Sequence, residues 1–142
     1  MTRDDLESVR DAVGRLERVR LLIETGGDDW RAPSVKGSGA SDPTAARALA
    51  RMKALEGLET EQAELEAVAD WGRRLIAGIG RGLGIKYAQT LECYYIGRLS
   101  WAEVARRLGV SKSTALLWRD TACEWADSVG HARAMEGTGT AT

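Results

Sequence analysis

The chain has 142 residues, of which 44% are hydrophobic and 29% charged, with a formal net charge of −1 and two cysteines. That length suits one ordinary domain, or a small domain with a helical arm. A membrane-spanning helix is excluded, because no apolar run approaches ~18 residues, and so is a disulfide framework, because Cys93 and Cys123 are the only thiols.

The start, MTRDDLESVR, is charged and has no apolar segment behind it to act as a signal peptide, so residence in the cytoplasm is expected. Over residues 3–24, Leu6, Val9, Val13, Leu16, Val19 and Ile23 recur at steps of three and four, which predicts a helix with one apolar stripe. Gly26 and Gly27 would end it. Residues 26–42, GGDDWRAPSVKGSGASD, have no periodicity and read as a long loop, with Trp30 and Val35 to tack it down. Asp42 as N-cap and Pro43 at the first helical position then predict a helix start. Ala45, Leu49, Met52, Leu55, Leu58, Gln62, Leu65, Val68 and Ala69 continue as a stripe close to a seven-residue repeat. Two such helices would pair within one chain or across a dimer, and the spacing alone does not choose.

Glycines at 78, 80, 82 and 84 in IAGIGRGLGI fit neither G-x-G-x-x-G nor G-x-x-x-x-G-K-[ST], which rejects a phosphate loop. They read as a hinge, since each interior glycine costs a helix ~1 kcal/mol; close helix packing is the alternative.

Charge is unevenly spread. Residues 1–70 sum to −5, residues 71–119 to +7, and residues 120–142 to −3. A basic segment between acidic ones is what a local phosphate-binding surface needs.

Within that segment, residues 86–96 read as a helix with an apolar face of Tyr87, Leu91, Tyr94 and Tyr95, and Gly97-Arg98-Leu99 as a turn. Ser100 and Glu103 form a capping box for a helix that buries Trp101, Val104, Ala105 and Leu108. Gly109 ends it with a backbone angle few residues tolerate, Val110 plugs the core, and Ser111 caps the next helix. Val104, Ala105, Leu108, Gly109, Val110, Ala115 and Trp118 each match the residue type a helix-turn-helix requires at that offset.

Residues 86–126 resemble the region-four domain of bacterial sigma factors, over about a third of the chain. The match runs through Tyr95, Gly97, Leu99, Ser100, Glu103, Val104, Ala105, Leu108, Gly109, Val110, Ser111, Ser113, Thr114 and Ala122. Trp101 after the capping serine, and the glycine-rich stretch leading to Ser41-Asp42-Pro43-Thr44, are similar to small sigma-like regulators of phages and prophages, including those that activate late or packaging genes. The resemblance implies binding to double-stranded DNA in a bacterial host cell, beside RNA polymerase. It does not reach the larger sigma domain that melts promoter DNA.

Stepping 100° per residue along the last helix puts Ala115, Trp118, Ala122 and Trp125 in the core. Leu116 and Cys123 pack beside it. Lys112, Ser113, Thr114 and Leu117 become the base-side candidates, while Asp120 and Glu124 face the groove further along and repel phosphate. Arg98, Arg106, Arg107 and Arg119 suit phosphates. Trp71, Trp101, Trp118 and Trp125 read as core anchors.

No enzyme, metal or cofactor is expected: His131 is alone, and Glu59, Glu61, Glu64 and Glu66 read as a solvated helix face. The expected fold is all-α, with a helical arm (1–80, possessing the loop 26–42) for self-association, a helix-turn-helix domain (81–130) and a disordered tail (131–142), Gly/Thr-rich from Glu136. Two rivals stay open: a packaging subunit similar to small terminases, and a protein-interaction module that docks on polymerase without touching DNA.

Overall fold

A computed structural model of the chain describes residues 1–25 and 43–137, and every regular element among them is helical. The elements are α1 (Thr2–Glu24), α2 (Pro43–Gly82), α3 (Ile85–Leu91) running on into a π-type turn (Glu92–Ile96), α4 (Trp101–Leu108), α5 (Lys112–Val129) and α6 (His131–Glu136). The loop expected over 26–42, the glycines expected to end α1 and the Asp42 cap lie outside the described residues. Pro43 opens α2 as its fixed φ suggests.

The stripe of α1 is buried as its spacing requires: Leu6, Val9, Val13, Leu16 and Val19 are all but inaccessible. It lies antiparallel to α2. Val9 sits on Gly72, so close that an added Cβ would come within 2.5 Å of a Val9 methyl, while Arg15, further along α1, reaches back to Glu61 at 2.7 Å. Val9, Val13 and Leu16 share one core with Ala69, and Leu65 packs on it. Arg15–Glu61 and Arg20–Glu66 (3.1 Å) flank this seam on the surface. That pairing holds the Glu61 carboxyl below the usual carboxylate range, the Arg15 hydrogen bond being the main cause.

The hinge expected over 76–85 does not form: α2 continues to Gly82. Its glycines are spent on close approach instead. A Cβ on Gly78 would run into the Ala134 carbonyl, one on Gly80 would lie 2.9 Å from the Ala88 Cβ, and one on Gly82 would lie 2.5 Å from the Trp125 ring. The helix loses propensity at each glycine. It regains more by burying Leu75, Ile76 and Ile79, since each fully buried aliphatic side chain contributes ~1.5–3 kcal/mol.

Those three residues centre the main core, with Leu6 of α1, Leu91, Tyr95, Ala122, Cys123, Trp125, Ala126 and Ala134. Cys123 therefore meets the arm helix, as its phase beside the core suggests. The expected disordered tail also needs correcting from 131 to 136. α6 is a short helix with Ala134 fully buried, closed by Gly137 at φ 68° and tied by the Arg81 guanidinium donating to the Met135 carbonyl. Residues 138–142 lie outside the described residues. A six-residue helix has too few apolar positions to announce itself; the groove over Gly78 supplies its stability.

The single stripe expected along α2 also divides. Leu65 and Ala69 turn toward α1, but Leu49, Met52 and Leu55 remain 54%, 59% and 38% exposed.

Candidate nucleic-acid interface

Local sequence sets α4 and α5 with little help. The Ser100 hydroxyl accepts from the Glu103 N–H at 3.2 Å and donates to the Glu103 carboxylate at 3.1 Å. The capping glutamate thus bonds the serine hydroxyl rather than its amide. Gly109 takes φ 70°, and the Val110 N–H reaches back to the Ala105 carbonyl at 3.0 Å, which closes α4 and turns the chain. Ser111 then accepts from the Thr114 N–H at 3.1 Å to open α5. Where the helices cross, Val104, Ala105 and Ala115 are buried, with Leu99, Trp101, Leu108 and Val110 packed around them.

Trp118 departs from its expected place in that core. It is half-buried on the flank facing α3, edge-on to Tyr87 at 6.4 Å. The Lys86 ammonium lies 5.1 Å from both rings. Lys86 is an exposed cation beside α5 that residue spacing alone does not single out; only its place in the basic segment pointed to it.

Of the four phosphate candidates, Arg119 is turned inward and Arg98, though exposed, leans on α1. Arg119 is buried, its side chain 10% exposed; its guanidinium lies 5.2 Å over the Trp101 ring and binds Asp120 at 2.8 Å. Trp101 stacks on Tyr94 (4.1 Å between centroids), and Arg10 of α1 lies over Tyr94 at 4.3 Å while donating to the Tyr94 carbonyl. This relay of Arg10, Tyr94, Trp101 and Arg119 joins α1 to α4 and α5. A guanidinium held on an aromatic face in a partly dry site is stabilised by ~1–2 kcal/mol, so Arg119 belongs to the packing. Arg98 adopts φ 56° and lays its guanidinium across Gly14 of α1, 3.8 Å from Glu17. It too faces the arm.

The other candidates remain open. Arg106 and Arg107 are exposed on α4, and Lys112 and Ser113 are exposed at the start of α5, where backbone N–H groups and the helix dipole favour an anion. Leu117, 61% exposed, continues that face. Thr114 is half-buried, its hydroxyl 2.8 Å from that of Ser111, which leaves it the weakest of the base-side group. Asp120 spends its charge on Arg119; Glu124 stays exposed.

Away from this surface, the thiols and the histidine are held in packing contacts. Burial pushes the Cys123 thiol up to about 12 and raises Cys93 as well, so both stay protonated thiols. His131 is not alone in space: its Nε2 is 2.9 Å from the Thr2 hydroxyl, with Asp5 at 3.7 Å and the Trp71 ring edge-on. Asp127 accepts from both the N–H and the hydroxyl of Thr2, at 2.8 and 2.6 Å, which lowers its carboxyl below the ordinary range. The group clasps the start of α1 to the α5–α6 junction. Among the described residues no cluster of His, Cys, Asp or Glu could hold a metal ion, and no helix is long and apolar enough to cross a membrane.

Set against known proteins, the chain matches no family model, no curated protein and no solved structure.

Proposed function

We propose that this chain binds double-stranded DNA sequence-specifically through α4 and α5, as a transcriptional regulator of the phage or prophage kind working in a bacterial cytoplasm. The observation that carries this reading is one surface: two capped helices joined by a left-handed glycine, with Arg106, Arg107 and Lys112 open to solvent beside Ser113 and Leu117. The start of α5 enters the major groove. There Lys112 and Ser113 meet base edges, Leu117 lies against a thymine methyl, and Thr114 contributes at the rim. Arg106 and Arg107 hold phosphates, joined by Lys86 from α3. The chain acts as a homo-oligomer through α2, beside RNA polymerase. Titration of the folded protein at low salt against a pool of fragments from the source genome tests this: selective retention of a few fragments is expected, and no retention overturns it.

The exposed stripe on α2 equally suits a packaging subunit similar to small terminases, in which arms assemble a ring. A solution mass of eight or more chains would favour that reading. The exposed Leu117 also suits a polymerase-docking module without DNA contacts, in which reversing the three cations leaves activity intact.

A further inference from the structure

The early part of α2 has an apolar side that nothing in the described chain covers. Leu49, Met52 and Leu55 are its exposed members, with Ala45 and Ala48 on the same side. At 100° per residue this stripe lies roughly 120° around the helix from Ala69, Gly72 and Ile76. Those residues face α1 and the main core further along α2, whereas residues 44–53 are exposed on every side, so the stripe is free for another helix.

The spacing 45, 48, 52, 55 places Ala, Ala, Met and Leu at the seam positions of a two-helix coil. Arg51 then flanks the seam just before Met52, and Glu56 flanks it just after Leu55, both exposed. In a parallel pair each Arg51 lies beside Glu56 of the other copy, giving two complementary contacts related by two-fold symmetry. An antiparallel pair centred on Met52 sets Arg51 against a second Arg51 and Glu56 against Leu49. Charge therefore selects the parallel arrangement. The next seam positions are Glu59, Gln62 and Glu66, where like charges would meet, so pairing stops after Glu56.

We infer that the stripe from Ala45 to Glu56 docks a second copy of this chain in parallel, with Arg51 of each copy against Glu56 of the other. The pair puts both α4–α5 surfaces at one end, as two-fold DNA sites require. This deepens the self-association in the functional reading and rests on it, but its readout is mass, so it can fail or succeed independently of DNA binding.

The test is sedimentation of the full chain across a concentration series. A shift from one chain of 15.4 kDa to two with rising concentration is expected. Met52→Glu with Leu55→Glu should abolish the shift while helix content by circular dichroism stays unchanged, because both side chains are exposed. Arg51→Glu or Glu56→Arg alone should weaken pairing roughly five-fold, as expected for two exposed ion pairs made repulsive. The double variant, or a mixture of the two single variants, should restore it. A monomer at every concentration would overturn the inference. A larger ring, or failure of the charge swap to restore pairing, would overturn it as well.

Discussion

The cations around α4 and α5 fall on two faces, and the two faces treat the same residue type differently. Toward the arm, Arg10, Arg98 and Arg119 lie on Tyr94, Gly14 and Trp101, and their charge is spent on holding helices together. Away from the arm, Arg106, Arg107 and Lys112 are exposed and form no ion pair among the described residues. A segment charge of +7 counts both sets alike. What sets Arg10 and Arg119 apart is an aromatic ring within reach, which attracts a guanidinium to its face; Arg98 instead stays exposed across Gly14, 3.8 Å from Glu17.

Substitutions on the arm side should therefore cost stability, and those on the open side should not. The largest loss is expected at Gly78→Ala, where the new methyl meets the backbone of α6. Urea unfolding should show a loss of about 2–3 kcal/mol, the cost of overpacking a rigid contact. Gly57, with nothing within 4 Å, should reverse the sign: Gly57→Ala should gain about 0.5–1 kcal/mol from helix propensity. Next comes Arg119→Ala, which strips the relay at Trp101 and leaves Asp120 without its partner; about 1–2 kcal/mol should be lost. Arg106→Ala, its counterpart on the open face, should stay within about 0.5 kcal/mol of the parent. Matching losses for the two arginines would erase the distinction.

The smallest effect is in acid. The carboxyl of Asp127 is lowered by its two bonds from Thr2, so its contribution is present above the ordinary carboxylate value of ~3.9 and is lost as pH falls through the lowered one. Thermal melts from pH 5 down to 2 should show a shallower decline for Asp127→Asn than for the parent.

The parts legible in the sequence are those that a few neighbouring residues decide. Ser100, Gly109 and Ser111 each need only the next three or four residues to fix a cap or a turn, and all three stand where their chemistry puts them, while Glu103 reaches the Ser100 hydroxyl instead of its amide. The helix glycines are different: Gly78 and Gly82 weaken a helix locally, and only the shapes of α6 and Trp125 make them necessary. The direction of Arg119 was nonetheless present in the spacing. It lies only roughly 40° around α5 from Ala115, on the buried side, so reading it as a phosphate contact lets charge outweigh phase. Trp118 errs the other way, its size suggesting the core while α3 supplies a flank for it. Nothing local could show that, because Tyr87 and Lys86 sit about 30 residues earlier.

DNA affinity measured by fluorescence anisotropy across a salt series, for the parent and for Arg106→Glu/Arg107→Glu/Lys112→Glu, tests the central claim most directly. The predicted result is parent binding that weakens steeply with salt, and a variant weaker by about a hundred-fold or more, with a flatter slope and an unchanged melting temperature. Equal affinities and equal slopes for the two folded proteins would contradict it.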